Sequence, residues 1–519
     1  MSGSDQRLIV GQTGQNVLGL AIGAVATFVA QVLITNALGD EAFGVVTLTT
    51  QAAFVAAAAT RFGMDVANVR LVAILAGRGR TAAARGVVRR SVAIASAVSI
   101  PFAAIAFAAS GWLSERFSAV PGIAEPAFRA AAVTVPFAAL AFTWMGATRG
   151  LKIMRYTLLA QWIAQPVGWI VVLPVLWAVL SRSAGTTTLA FGASWALALA
   201  VAAWGWEREQ RRFPAAGDGE PLPEEHTAAL LRFGALRAPA TLFSQLIFWT
   251  DLFVLSILWS DEGSAGASTV GVYGAVLRVG QALFLFLTSV SLTFSPFVAD
   301  LHHRGERERL DALYKNVTRW TLAATIPLLL VLAILPEPTL RIFGRDFPAG
   351  ADALRILIVG MIVPVTVGTV GFILIMAGRT GWDLLVYLGG FLIDIGVAVV
   401  VATPERLGMR GAAVAQAATL SFSAVARLLL VRRFLGIWPF DRAWLRLVLP
   451  TVLGALTMGL VHAAMPAERW FVDLVVSAGF GVGVYAAALL VTGVLPTERE
   501  AVVRTLRRVS LRRPTAAAP

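Results

Sequence analysis

Apolar residues run through this chain in stretches of about 20, the length a helix needs to cross a bilayer. The stretches lack the period-two alternation of a transmembrane strand, so a helical rather than a barrel protein is expected. Fourteen such spans are read from the sequence: 12–37, 42–62, 88–110, 127–148, 157–180, 188–206, 233–259, 270–297, 319–335, 353–377, 383–402, 411–431, 444–464 and 472–495. The predicted fold class is an all-α polytopic membrane protein of about fourteen helices.

Placing the N-terminus inside leaves 33 of the 43 cations on the cytoplasmic side and nine outside, with Arg278 within a span. That asymmetry satisfies the positive-inside rule and sets both termini in the cytoplasm. The richest inner loop carries Arg61, Arg70, Arg78, Arg80, Arg85, Arg89 and Arg90. Residues 207–226 mix charge with Pro214, Pro221 and Pro223, a composition that does not pack, and read as an inter-lobe linker. The expected organisation is a six-helix lobe over 1–206, a cytoplasmic linker over 207–232 and a second six-helix lobe over 233–432. Two further helices over 433–495 and a basic tail over 496–519 complete it.

A faint internal repeat supports two lobes. Phe43-Gly44-Val45-Val46 matches Val270-Gly271-Val272-Tyr273 at an offset of 227 residues, and Ala147-Thr148-Arg149-Gly150 resembles Ala377-Gly378-Arg379-Thr380 at 230. Copies of an even number of helices keep the same orientation, so the relating axis lies along the membrane normal.

Composition narrows the chemistry. Only 14% of residues are charged against 57% hydrophobic, and mean hydropathy is +0.75, which sets aside a soluble enzyme. Without cysteine there are no disulfides and no thiolate sites. The net charge of +13 is the charge of cytoplasmic loops, so no nucleic-acid partner is implied. No phosphate loop surrounds Lys152 or Lys315, and no H-E-x-x-H is present among His226, His302, His303 and His462. No cofactor or metal is expected, and no cleavable signal peptide. Gly19 and Gly23, and Gly479 and Gly483, have the spacing of close helix contacts.

Polar residues in hydrocarbon are costly, so each marks a structural or functional contact. Asp251 and Arg278 lie eight residues from the same membrane surface on consecutive spans. They form either an ion pair internal to the lobe or a cavity site in which Arg278 binds an anion and Asp251 holds it. The planar guanidinium suits phosphate. Gln281, Thr288 and Ser295 share the helical face of Arg278. Asn16, Gly23, Thr27, Gln31 and Thr35 form a similar row on the first span, and Gln161 and Gln165 add polar groups to the fifth. These rows line a cavity or bond helix to helix. Asp394, in the middle of span eleven, is either a hydrogen-bonded structural carboxylate or the candidate coupling site for H+ or Na+. Arg61, Asp65 and Arg70 read as interfacial charges along a short amphipathic helix, Glu125 and Arg129 as an i, i+4 pair, and His462 as structural.

These residues resemble a family. Leu38-Gly39-Asp40-Glu41-Ala42-Phe43-Gly44 resembles the turn after the first helix of bacterial polysaccharide flippases of the multidrug/oligosaccharidyl-lipid/polysaccharide (MOP) exporter superfamily. The segment from Arg61 to Arg70 is similar to their D-x-G-[LM]-x-x-A-x-x-R, with Arg61 in the usual Asp position. Asp251, Val270-Gly271-Val272-Tyr273 with Arg278, the loop from Leu340 to Phe347, and Gly411-Ala412-Ala413 resemble later signatures, and the likeness covers most of residues 8–435.

The resemblance implies two six-helix bundles around a cavity, in a bacterial plasma membrane. It implies alternating-access transfer of an undecaprenyl-diphosphate-linked oligosaccharide to the outer leaflet, with no enzymatic step. Membrane lipids, the lipid-linked cargo and a polysaccharide polymerase machinery are the implied partners. Two rivals share the superfamily. A lipid II flippase would be expected to carry cations in its first helices, yet Leu8 to Thr60 has no Arg or Lys. A drug/cation antiporter would be expected to carry a cavity acid, for which Asp251 or Asp394 could serve. A membrane glycosyltransferase or polymerase would be expected to show catalytic acids or a large outer loop, and no outer loop exceeds about 20 residues.

Overall fold

A computed structural model describes residues 3–211, 227–377 and 379–493. Every regular element among them is helical. The first lobe is built from α1 (Gly3–Thr60), α2 (Met64–Gly77), α3 (Thr81–Ala108), α4 (Ser110–Phe117) and α5 (Pro121–Gly150). It continues through α6 (Arg155–Thr157), a π-helical stretch over Leu158–Ala164, α7 (Gln165–Val179) and α8 (Ala184–Gln210). The second lobe comprises α9 (Thr227–Leu246), α10 (Thr250–Leu258), α11 (Gly263–His303), α12 (Arg307–Ile334) and α13 (Pro336–Arg341). It closes with α14 (Ala351–Val367), α15 (Val370–Met376), α16 (Thr380–Val401) and α17 (Met409–Leu435). Helices α18 (Val448–Ala464) and α19 (Trp470–Ala488) pair with each other. They dock on α12, where the Tyr485 hydroxyl donates to the Ala323 carbonyl at 2.6 Å. Most of the expected linker and all of the basic tail lie outside the described residues.

Among the described residues, eleven helices are long and apolar enough to cross a membrane, or twelve when α9 and α10 count as one bent span. The 58-residue α1 breaks at Gly39, whose φ of 80° and ψ of −179° only glycine adopts without strain. Its two limbs, together with the 41-residue α11, make the reading of fourteen spans compatible with these helices. Prolines sit inside α3, α5, α7, α9, α12 and α14. Membrane helices tolerate them because neighbouring groups re-satisfy the freed carbonyls.

The lobes are pseudo-symmetric. In the first, α5 packs most extensively on α8, and in the second α14 packs most extensively on α17. Between the lobes α1 packs on α11. The repeated glycines meet there: a Cβ on Gly44 would lie 2.4 Å from the Ala267 carbonyl, and one on Gly271 would lie 2.0 Å from the Asp40 carbonyl. Residues equivalent in the two copies touch each other, as a two-fold axis through this contact requires.

Of the two glycine pairs, Gly19 and Gly23 do pack closely, against Leu158 and Trp162. Gly479 and Gly483 face open space, and the contact of that helix is made instead by Gly481 on Met458. At the arginine-rich end Arg61 and Asp65 are not solvent-exposed: they form an ion pair at 3.3 Å with each side chain 8% exposed. Arg61 lies 4.5 Å over the Phe142 ring, so packing rather than water surrounds the pair.

Candidate functional site

A cavity of about 410 Å³ lies between the lobes. The first limb of α1 contributes Thr27, Phe28 and Gln31, and the second contributes Gln51 and Phe54. Gln161, Gln165 and Trp169 come from the fifth span, Trp195 from α8, and Arg278 and Gln281 from α11. Five residues singled out from the sequence, Arg278, Gln281, Gln31, Gln161 and Gln165, are thus brought to one cavity. The side chains of Asn16, Thr288 and Ser295 lie outside the described residues.

Local backbone devices aim these groups. Pro166 has no N–H, and its ring crowds the carbonyl of Trp162 four residues earlier. The preceding turn is widened into the π-helical stretch Leu158–Ala164, which carries Gln161 and Trp162 into the cavity. Across the cavity the seventh span breaks between α9 and α10, with a bend of 62°. Bonding tightens there to three-residue steps, Phe248 N–H to Gln245 O at 3.1 Å and Trp249 N–H to Leu246 O at 2.9 Å. The break turns Phe248 and Trp249 toward the cavity, and the Arg278 guanidinium stacks 4.6 Å over Trp249.

The cavity is rich in donors. The Nε of Arg278, the Nε2 of Gln281 and the indole Nε1 of Trp169 and Trp195 are buried, and none has a hydrogen-bond partner among the described residues. Gln165 donates to Ser194 Oγ at 3.2 Å. Among the described residues six glutamines line the space and no carboxylate does, so the site is cationic and amide-rich. Such a wall complements an acceptor-rich anion.

The expected Asp251–Arg278 pair is not formed. Asp251 is fully buried, accepts from the Tyr273 hydroxyl and takes the Leu252 N–H at 2.9 Å. Tyr273 and Arg278 are five residues apart on α11, about 140° around the helix axis, so one carboxylate cannot serve both faces. Asp251 is therefore not the organiser of the guanidinium; Trp249 is its contact. Asp394 also lies away from the cavity. It is fully buried, neither carboxylate oxygen has a partner among the described residues, and it is within electrostatic reach of Asp251 and Tyr273. Asp251, Tyr273 and Asp394 form a separate buried group inside the second lobe.

The sequence reading missed Gln51 and Gln245, although Thr47 and Thr241 stand one helical turn before them, and it missed the aromatic wall, because an aromatic residue in a membrane helix carries no signal of its own. Elsewhere, Arg129 pairs with Glu125 at 2.5 Å as the spacing suggests, and His462 Nδ1 meets Asp473 at 2.8 Å.

Two helical lobes around a polar cavity, in a chain of membrane-crossing helices, define a multi-span membrane transporter rather than an enzyme. The family described as "Polysaccharide biosynthesis protein" matches residues 12–302, more than half of the 519-residue chain, and MatE matches 240–400. The chain belongs to the polysaccharide biosynthesis protein family, within the MOP exporter superfamily.

Solved structures share the fold. An inward-facing multidrug resistance MATE family transporter of the MOP superfamily is 16% identical, with TM-score 0.65, covering 81% of this chain and 98% of that one. The lipid II flippase MurJ, in an inward closed conformation, is 14% identical, with TM-score 0.68, covering 92% and 98%. A MOP superfamily transporter from Pyrococcus furiosus, described as having a binding pocket of reversed polarity, is 16% identical, with TM-score 0.58, covering 81% and 95%. Among curated proteins no sequence matches significantly.

Proposed function

We propose that this transporter is a flippase for an undecaprenyl-diphosphate-linked oligosaccharide in a bacterial plasma membrane. The observation that carries the reading is the polarity of the cavity: among the described residues its wall has unpartnered N–H donors, one guanidinium, six glutamines and no carboxylate. A diphosphate offers charge and acceptors to Arg278, sugar hydroxyls match the amides, and aromatic rings offer apolar faces to sugar C–H groups. A cationic drug would meet a guanidinium and no counter-charge, which weighs against the antiporter. The cavity wall from α1 presents Thr27, Gln31 and Gln51 rather than cations, which weighs against lipid II. The arginine-rich end would face the cytoplasm with both termini, and cargo would leave on the opposite side beside a polysaccharide polymerase.

The buried group of Asp251, Tyr273 and Asp394 is the candidate for coupling to H+ or Na+. Its separation from the cavity lets ion occupancy bias the second lobe without competing for cargo. The test is reconstitution. In proteoliposomes the protein should move an undecaprenyl-diphosphate oligosaccharide across the bilayer, read by exposure to a membrane-impermeant lectin. Movement no faster than in protein-free vesicles contradicts the reading.

A further inference from the structure

A second cavity, of about 340 Å³, lies beside the first, and every side chain lining it is apolar. Its floor is alanine: Ala52 and Ala56 on the second limb of α1 face Ala106 on α3, and these short side chains leave the space open. Phe102 stands at its edge, 42% exposed on the surface of a membrane-crossing helix, so the cleft opens toward hydrocarbon. Leu242 of α9 and Phe253 of α10 close the other side.

The placement of this cleft beside the polar cavity is what gives it meaning. Neighbouring residues of one helix, Gln51 and Ala52, face the polar cavity and the cleft respectively. The broken seventh span does the same, with Gln245 and Trp249 toward the cavity and Leu242 and Phe253 toward the cleft. Both spaces are thus lined by the second limb of α1 and by the residues on either side of the break between α9 and α10. A molecule with an anionic head and a long hydrocarbon chain fits this pair of spaces, head against Arg278 and chain in the cleft. Free sugars or small anions would have no use for the second space.

We propose that the cleft between α1, α3 and α9–α10 holds the first few isoprene units of the cargo's polyprenyl chain, the rest lying in the bilayer, while its head occupies the polar cavity. This rests on the flippase reading above. The chain then never crosses polar groups, and the bilayer side of α3 is its route in and out.

The experiment places a photoreactive benzoyl-phenylalanine at Phe102 of the full chain. The protein is reconstituted in phosphatidylethanolamine and phosphatidylglycerol vesicles containing undecaprenyl phosphate, and adducts are resolved by mass. The expected product is an undecaprenyl phosphate adduct. Ala56→Phe and Ala106→Phe, two independent fillings of the cleft, should each lower it about tenfold, the equivalent of roughly two methylenes of lost burial. Arg278→Gln should lower it too, because the head no longer anchors the chain, while phospholipid adducts stay unchanged. Phospholipid adducts alone, or a polyprenyl adduct indifferent to all three substitutions, would overturn the proposal. A second photoprobe at Gln281 separates the two levels. No undecaprenyl adduct there overturns the flippase reading and this proposal together. An adduct at Gln281 without one at Phe102 overturns the cleft alone.

Discussion

Arg278→Gln separates a functional guanidinium from a structural one. The side chain has no ion-pair partner among the described residues, its Nε is unsatisfied, and its protein contact is the Trp249 ring at 4.6 Å. Losing that stacking costs the fold about 0.5–2 kcal/mol. Removing a buried cation without a counter-ion returns several kcal/mol of desolvation energy, at least as much as the stacking lost. The net change in stability is therefore neutral to stabilising, and the thermal midpoint should not fall.

Cargo binding should respond differently. Charge-assisted hydrogen bonds to a phosphate contribute about 1.5–3 kcal/mol, so the substitution weakens head binding roughly 10- to 150-fold. Arg278→Lys keeps the charge and loses the planar fork, so it should recover only part of the activity. The assay is translocation in proteoliposomes beside thermal unfolding of the same preparation. Wild-type transport by Arg278→Gln refutes the reasoning, and so does a loss of transport that merely tracks a loss of stability.

Further consequences follow from other parts of the molecule. Trp195→Phe removes an unpartnered buried donor and trims an indole that packs on Phe54, Phe142 and Phe191; stability should fall by about 1–2 kcal/mol in thermal unfolding, and cargo affinity about threefold to tenfold in binding. Arg61→Ala removes the close partner of buried Asp65 and leaves it the charge of nearby Arg149, so it should destabilise the fold by about 1–3 kcal/mol in thermal unfolding. Gly271→Ala would place a Cβ 2.0 Å from the Asp40 carbonyl and force the lobes apart at that contact. Because the chain has no cysteine, a single Gln281→Cys label can report the change as altered reactivity. Asp394→Asn should abolish the dependence of transport on pH or sodium, and an unchanged dependence removes Asp394 from coupling.

Much of the fold is legible because hydrocarbon is a stringent solvent. A run of about 20 apolar residues admits few structures other than a helix, and a glutamine within such a run must face protein or water. That constraint is why Gln31, Gln161, Gln165, Gln281 and Arg278 could be read from the sequence as cavity candidates, and the structure gathers them in one space. Azimuth was not legible. Asp251 and Arg278 match in depth, but depth does not say which face of α11 a carboxylate meets, and Tyr273 takes it. The bend between α9 and α10 has no proline or glycine at residues 247–249 to announce it. The apolar cleft left no trace because alanine in a membrane helix is unremarkable until three helices place it together. Arg61 and Asp65 were misread for a related reason: their spacing resembles an exposed amphipathic turn, and only packing against Phe142 buries them.

The central claim is that this transporter carries a lipid-linked saccharide, and the most direct measurement is depletion followed by analysis of membrane lipids. When expression is switched off, a completed undecaprenyl-diphosphate-linked repeat unit should accumulate on the cytoplasmic leaflet, where its mass identifies the cargo. Accumulation of lipid II instead, or no accumulation together with heightened sensitivity to cationic drugs, would contradict the claim.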